Sequence, residues 1–191
     1  MDGLIGREEA ALVVIDVQEK LFPAIYNKEK VLKNCEKVIV FCRRLGIPII
    51  VTEQYPKGLG LTLPGVQSAL GESYQPIPKT AFSCFGEPKF VEAVQGLQRE
   101  WLILVGIETH VCVAQTALTG LSFLGGESED IDLNICVLND CVGARTELYH
   151  RTGLDRMRDE GAIISVSDAF FYEMLVQAKT EDHKKVFDLL K

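Results

Sequence analysis

A three-layer α/β/α fold, with an open and mostly parallel sheet between helices, is what this chain predicts, and three observations predict it. Apolar runs of strand length recur at residues 11–17, 47–52, 101–106, 133–138 and 162–166. Each is nearly continuous in Val, Ile and Leu, as strands covered on both faces should be. Amphipathic stretches of helical length separate them, and strand, helix, strand in that order implies right-handed crossovers between parallel strands.

The elements follow in order. The first strand runs into Asp16-Val-Gln18, and a helix is expected over 28–45, where Gly46 and then Pro48 supply the stop signal. After the second strand, residues 53–73 carry Gly58, Gly60, Pro64, Gly65 and Gly71 and read as a long irregular segment. Such a loop in a compact domain is more often functional than idle, and this one is expected to close over a site. Residues 75–78 add a short strand at a sheet edge, where proline is tolerated. Helices are expected at 88–99, 111–124, 147–160 and 182–190, between and after the remaining strands. The apolar run Phe170-Phe-Tyr-Glu-Met-Leu175 reads as a buried subunit interface or a docking helix, so a homo-oligomer is expected.

At 191 residues the chain suits one domain spanning 1–191. Twenty basic against 27 acidic side chains leave a net charge of −7 with no basic run, so nucleic acid is not an expected partner. No apolar stretch is long enough to span a bilayer, and the first residues lack the basic and apolar regions of a signal peptide. The expectation is therefore a cytoplasmic protein without a membrane partner. In that compartment the six cysteines, none in a C-x-x-C, are expected to be reduced thiols, with Cys136 and Cys141 as core filling.

Ligands of open α/β sheets bind beyond the carboxyl ends of the strands, where strand order reverses. The residues there include Asp16 after the first strand, Lys79 after the edge strand and Cys112 after the third long strand. A carboxylate that follows four apolar residues either caps the next segment or meets a cation and carries protons. Lys79 lies between Ile77-Pro78 and Ala81-Phe82, an apolar setting for an ammonium. Cys112 is expected near a helix N-terminus, which favours thiolate. Together the three form a chemically complete set: an acid to move the thiol proton, an ammonium to hold charge, and a sulfur to attack a carbonyl. Backbone N–H groups of the helix start would then face the developing oxyanion.

The D-x-Q of Asp16 and Gln18, the K-x-x-F of Lys79 and Phe82, and the run from Gly106 to Cys112 resemble the isochorismatase-like cysteine hydrolases, and the resemblance covers nearly the whole chain. It implies a catalytic triad of Asp16, Lys79 and Cys112 and a six-stranded sheet in the order 3-2-1-4-5-6. It also implies a non-proline cis peptide between Ile107 and Glu108 that aims backbone N–H groups at the oxyanion. Gln18, Phe22, Gln54, Tyr55, Phe82, Glu108, Thr109 and His110 are the expected pocket residues around a small-molecule substrate.

Two departures narrow this. The nicotinamidases of the family carry an Asp-x-His and a later His after the second strand to hold a metal. Here that position reads Glu53-Gln54-Tyr55-Pro56, and with His110, His150 and His183 scattered no metal or other cofactor is expected. The vinyl-ether hydrolases of the family lack the cysteine, so Cys112 favours acyl transfer on a small amide. The run from Thr52 to Gly60 looks closest to the branch of isochorismatase-domain-containing proteins whose substrate is undefined. A dinucleotide-binding domain would need G-x-G-x-x-G after the first strand, where the residues are Asp16-Val-Gln-Glu-Lys-Leu21. The remaining alternative is a non-catalytic or redox-sensing member of the same fold that acts through protein contacts, which should show a resolving cysteine near Cys112.

Overall fold

The computed structural model describes residues 3–123 and 133–191. Its strands are β1 (Ala10–Ile15), β2 (Ile49–Gln54), β3 (Ile77–Lys79), β4 (Trp101–Ile107), β5 (Asn134–Gly143) and β6 (Ile163–Ser165). They form one six-stranded sheet in the order β3-β2-β1-β4-β5-β6. Every neighbouring pair is parallel. The order reverses between β1 and β4, so Asp16 and the segment after Ile107 leave the sheet side by side at the switch point.

Two apolar cores fill the two sides. Helices α1 (Lys28–Leu45), α7 (Ser167–Leu175) and α8 (Glu181–Val186) cover one face, with Val38, Phe41, Phe170, Phe171 and Val186 buried among β1 and β4 side chains. Helices α4 (Pro88–Leu97), α5 (Ala114–Leu121) and α6 (Glu147–Asp159) cover the other with Phe90, Ala117, Leu154 and Met157. All six residues of β1 are buried, which explains why its sequence shows no alternation.

Several expectations change. The run at 170–175 packs largely against the chain's own core: Phe170 and Phe171 are fully buried, the Phe171 ring lies 4.4 Å from Phe41 of α1, and Tyr172 is the aromatic side chain of the run left exposed. Residues 53–73 are not an open lid. They wind into α2 (Pro56–Leu59) and α3 (Pro64–Leu70) and are pinned from below. The Glu53 carboxylate accepts from Thr62 N (2.7 Å), Thr62 Oγ1 (2.8 Å) and Tyr74 Oη (2.9 Å). Strand β5 continues five residues past Leu138, because a register shift against β4 between Leu104 and Gly106 takes up the extra residues between Val137 and Val142. The helix expected at 111–124 begins as a turn at Thr109, and its last residue, Leu124, lies outside the described residues. Among the described residues no helix is long and apolar enough to cross a membrane.

Gly106 lets β4 approach β1. Its φ of 117° suits glycine, and a Cβ there would stand 2.1 Å from the Ile15 carbonyl oxygen. Gly106→Ala is expected to destabilise the protein by about 3 kcal/mol or more, since both backbone conformation and strand spacing must give. Urea unfolding measures this, and a change below about 1 kcal/mol would contradict the close approach.

Candidate active site

Three strand ends deliver the central residues. Asp16 follows β1 with a left-handed φ of 53°, which turns the chain out of the sheet, and its N–H donates to Thr52 O at 3.2 Å. Lys79 ends β3. Cys112 lies in a turn over Thr109–Val113, wound so that Val113 N reaches back five residues to Glu108 O (3.3 Å). The Ile107–Glu108 peptide that opens this turn is cis.

The Lys79 and Asp16 side chains are wholly buried and paired, with Nζ donating to Oδ2 at 2.6 Å. Nζ also donates to Gln54 Oε1 (2.7 Å) and to the carbonyls of Ala81 and Phe82 (3.2 Å each). Four acceptors thus surround three N–H bonds. The other Asp16 oxygen, Oδ1, accepts from Thr52 Oγ1 at 2.8 Å. Burial, the largest single influence, pushes the Lys79 ammonium down, but the Asp16 charge and hydrogen bond together with the nearby Cys84 and Cys112 sulfurs outweigh it and hold the group above its ordinary value.

The Cys112 thiol lies close enough to the Asp16–Lys79 pair to feel both charges. Burial is the first cause that pushes it up, to about 12; Asp16 adds to the rise and Lys79 opposes it. The resting sulfur is therefore a thiol, contrary to the thiolate expected from a helix start. The carboxylate beside it and the dry surroundings outweigh any dipole. Cys84 is a second thiol in the same field, pushed up to about 11 by burial and by Asp16. Its Sγ lies 3.8 Å from Thr52 Oγ1.

These shifts make alkali destabilising. Cys84, Cys112 and Cys136 (about 12, raised by burial) stay neutral in the fold above the pH at which unfolded thiols ionise, near 9. Below 9 they are neutral in both states and contribute no pH dependence. From 9 toward 11 to 12 the unfolded chain loses protons first, so stability is expected to fall as pH rises. Urea midpoints from pH 8 to 10.5 test this; a flat profile would contradict the buried neutral thiols.

The expected pocket residues divide. Gln18 is fully buried with its amide spent: Nε2 donates to Gln54 O (3.0 Å) and Gly60 O (2.7 Å), and Oε1 accepts from Gln54 N (2.7 Å). It staples the end of β2 to the segment after it and has nothing left for a ligand. Gln54 likewise holds Lys79 and, through Nε2, Thr80 O (2.7 Å). Phe22 packs in the core on the α1 side, whereas Cys112 belongs to the core of the opposite face. Tyr55 and Phe82 are exposed, and Tyr55 with Pro56, Pro78 and Thr80 lines a hollow of about 300 Å³. Glu108 Oε2 accepts from Arg145 N (3.2 Å) and Nε (3.0 Å). Thr109 is buried with Oγ1 3.0 Å from His150 Nδ1. His110 stacks on Tyr149 at 4.8 Å, and burial holds its imidazole below the ordinary range.

Thr52, Cys84, Arg145 and His150 escaped the sequence reading. Thr52 had a signal: in a parallel sheet it stands in register with Ile15, one residue before Asp16. Gly153 had none; a Cβ there would come 2.9 Å from His110 Cα, so this glycine lets α6 seat against the turn that carries Cys112.

A three-layer α/β fold with a buried acid–lysine pair beside a cysteine at the switch point defines a class of α/β proteins built around a thiol. Within that class, the isochorismatase domain model matches residues 10–169, and the chain belongs to this family. The chain is 30% identical over 188 residues to isochorismatase domain-containing protein 2 of Danio rerio, covering 98% of this chain and 90% of that protein. A structure from Caenorhabditis elegans described as a MAR1 ribonuclease superposes with a TM-score of 0.87 at 34% identity, covering 98% and 92% of the two chains. The Escherichia coli YcaC product, described as an octameric hydrolase of unknown specificity, shares the fold with a TM-score of 0.87 at 20% identity, covering 99% and 91%.

Proposed function

We propose that the chain, as one domain, is a cysteine hydrolase that cleaves a C–N bond of a small amide through an acyl-enzyme on Cys112. The observation that carries this reading is the Asp16 carboxylate, fixed by Lys79 and Thr52 beside a neutral Cys112 thiol. Asp16 takes the thiol proton as sulfur bonds to the carbonyl carbon, and backbone N–H groups of the 109–113 turn face the oxyanion. When the tetrahedral species collapses, the C–N bond breaks and Asp16 returns the proton to the departing nitrogen. Water then attacks the thioester, giving one proton to Asp16 and its oxygen to the acid, and the proton returns to sulfur as it leaves.

The metal of the family's nicotinamidases does not fit here. Glu53 is committed to Thr62 and Tyr74, and Gln54 to Lys79 and Thr80. No step is routed through a metal. The ribonuclease description of the nematode protein is not carried over, because a chain of net charge −7 repels a phosphate backbone.

A panel of primary amides, ureides and thioesters, with intact-protein mass spectrometry under rapid quench, tests the reading. Turnover with an acyl adduct on Cys112 is expected, and turnover is expected to survive EDTA. Loss in EDTA with recovery on zinc would overturn the metal-independent form.

Cys84 supports a second reading. A thiol that shares Asp16 and Lys79 with Cys112 is placed to act as a resolving partner in a redox-sensing protein. A Cys84–Cys112 disulfide on peroxide treatment, with no turnover of any amide, would favour it. A homo-oligomer is part of the first reading, and light scattering at micromolar concentration checks it.

A further inference from the structure

The turn over Thr109–Val113 is fastened to its surroundings at three places. Glu108, just before it, accepts from Arg145 Nε just past β5 (3.0 Å), and Arg145 is exposed. His110 stacks on Tyr149 of α6 at 4.8 Å, and its Nδ1 is buried with no partner among the described residues. The third fastening is a chain of side chains from two other elements. Thr109 Oγ1 lies 3.0 Å from Nδ1 of His150 on α6, and His150 Nε2 lies 2.9 Å from Oδ1 of Asn139 on β5. Gly153 lets α6 come close enough to make it.

The proton positions in this chain follow from its far end. Asn139 Oδ1 can only accept, so Nε2 carries the hydrogen of the neutral ring and the bare Nδ1 accepts from the Thr109 hydroxyl. Thr109 is wholly buried, and its hydroxyl has no other acceptor among the described residues. A second proton on the imidazole occupies Nδ1, which must then donate to Oγ1, and the hydroxyl hydrogen loses its acceptor. Stranding a buried donor is costly, and moving Thr109 away from α6 relieves it. The other fastenings do not work this way: the Glu108–Arg145 pair stays charged around neutral pH, and His110 Nδ1 has no bond to lose.

The charges around His150 come from several elements. Burial is the largest influence and holds the ring below the ordinary imidazole range; Glu147 on α6 opposes it and Arg151 on α6 adds to it. Lys30 of α1 and Asp140 of β5 line the same cavity as the ring, and Glu108, His110 and Arg145 flank the turn. At pH 7 the ring is neutral and the fastening is closed.

We propose that His150 is a positioning residue for Cys112: its neutral ring holds Thr109, and with it the backbone N–H groups of the turn, in place, and a protonated ring releases them. The kinetic consequence rests on the acyl-enzyme reading, whereas the hold itself does not.

The test therefore has two arms. In the ligand-free protein, ¹⁵N NMR is expected to place the His150 hydrogen on Nε2 at pH 7, and the backbone amides of residues 109–113 are expected to titrate with that ring as the pH is lowered. A hydrogen on Nδ1, a ring that takes no proton before the protein unfolds, or turn amides that follow His110 or stay still while His150 titrates would each overturn the proposal. In the kinetic arm, kcat on the best amide is expected to fall as His150 protonates, with KM little changed. Asn139→Asp keeps the acceptor and adds a negative charge, so it is expected to raise the midpoint of that fall by about one pH unit. His150→Phe is expected to lower kcat at pH 7 by about tenfold, the worth of one hydrogen bond, and to remove the fall, with cooperative melting retained. An acid limb that neither variant moves would also overturn the proposal. If no amide turns over in any form, the amidase reading fails, and the NMR arm by itself decides whether His150 holds the turn.

Discussion

Cys112→Ala is expected to lower kcat/KM on the best amide by about four orders of magnitude or more, because residues that act as a unit fail together. No other sulfur can substitute. Cys112 is 6% exposed, while Cys84, the thiol sharing its field, is fully buried behind Thr52. Cys112→Ser should fail nearly as badly, since a hydroxyl is harder to deprotonate than a thiol and the base proposed for it, Asp16, is a carboxylate already paired with Lys79. The fold should survive: a thiol-to-methyl change removes one atom at a buried site and costs about 1 kcal/mol. Steady-state kinetics beside thermal melting separates the two effects. Near-wild-type turnover by either variant would sink the acyl-enzyme.

Lys79→Met is the second large effect, and it appears in stability as well as in rate. The substitution keeps most of the volume but strands the Asp16 carboxylate, 0% exposed, without its cation. Breaking such a buried pair costs about 3–5 kcal/mol, whereas replacing both partners with neutral groups is often close to neutral. The double variant Asp16→Asn with Lys79→Met is therefore expected to regain most of the lost stability and none of the activity. Urea unfolding of the two single variants and the double variant gives the coupling directly. Additive losses would mean that Asp16 and Lys79 do not form the pair described.

Much of the fold was legible because its physics is local. Strands buried on both faces must be apolar throughout, so β1, β2, β4 and most of β5 could be read from composition, and α1 announced its end through Gly46. The order of strands came from the resemblance to a family, since nothing in a periodic pattern says which strand lies beside which. Illegible parts were those decided by contacts far apart in sequence. The 53–73 segment looked like a lid because its glycines were visible and the Glu53–Thr62–Tyr74 and Gln18–Gln54 bonds that pin it were not. That residues 170–175 pack on their own subunit's core was not legible, because the partner ring, Phe41, lies far away in the chain. At the candidate site, Asp16, Lys79 and Cys112 were legible as strand-end residues, and their catalytic roles rest on the proposal above. Their supports were missed, and so was the thiol's protonation state, which depends on how dry the surroundings are.

The four acceptors around Lys79 bear on inhibitor design. An ammonium whose N–H bonds already serve Asp16, Gln54 and two carbonyls has none left to offer an incoming compound. Molecules that carry an extra anionic group aimed at this lysine should gain no affinity from it. On the cysteine chemistry proposed above, electrophiles that the thiol captures reversibly, such as aldehydes and nitriles, would draw instead on the sulfur and the backbone amides, and are the scaffolds to begin from.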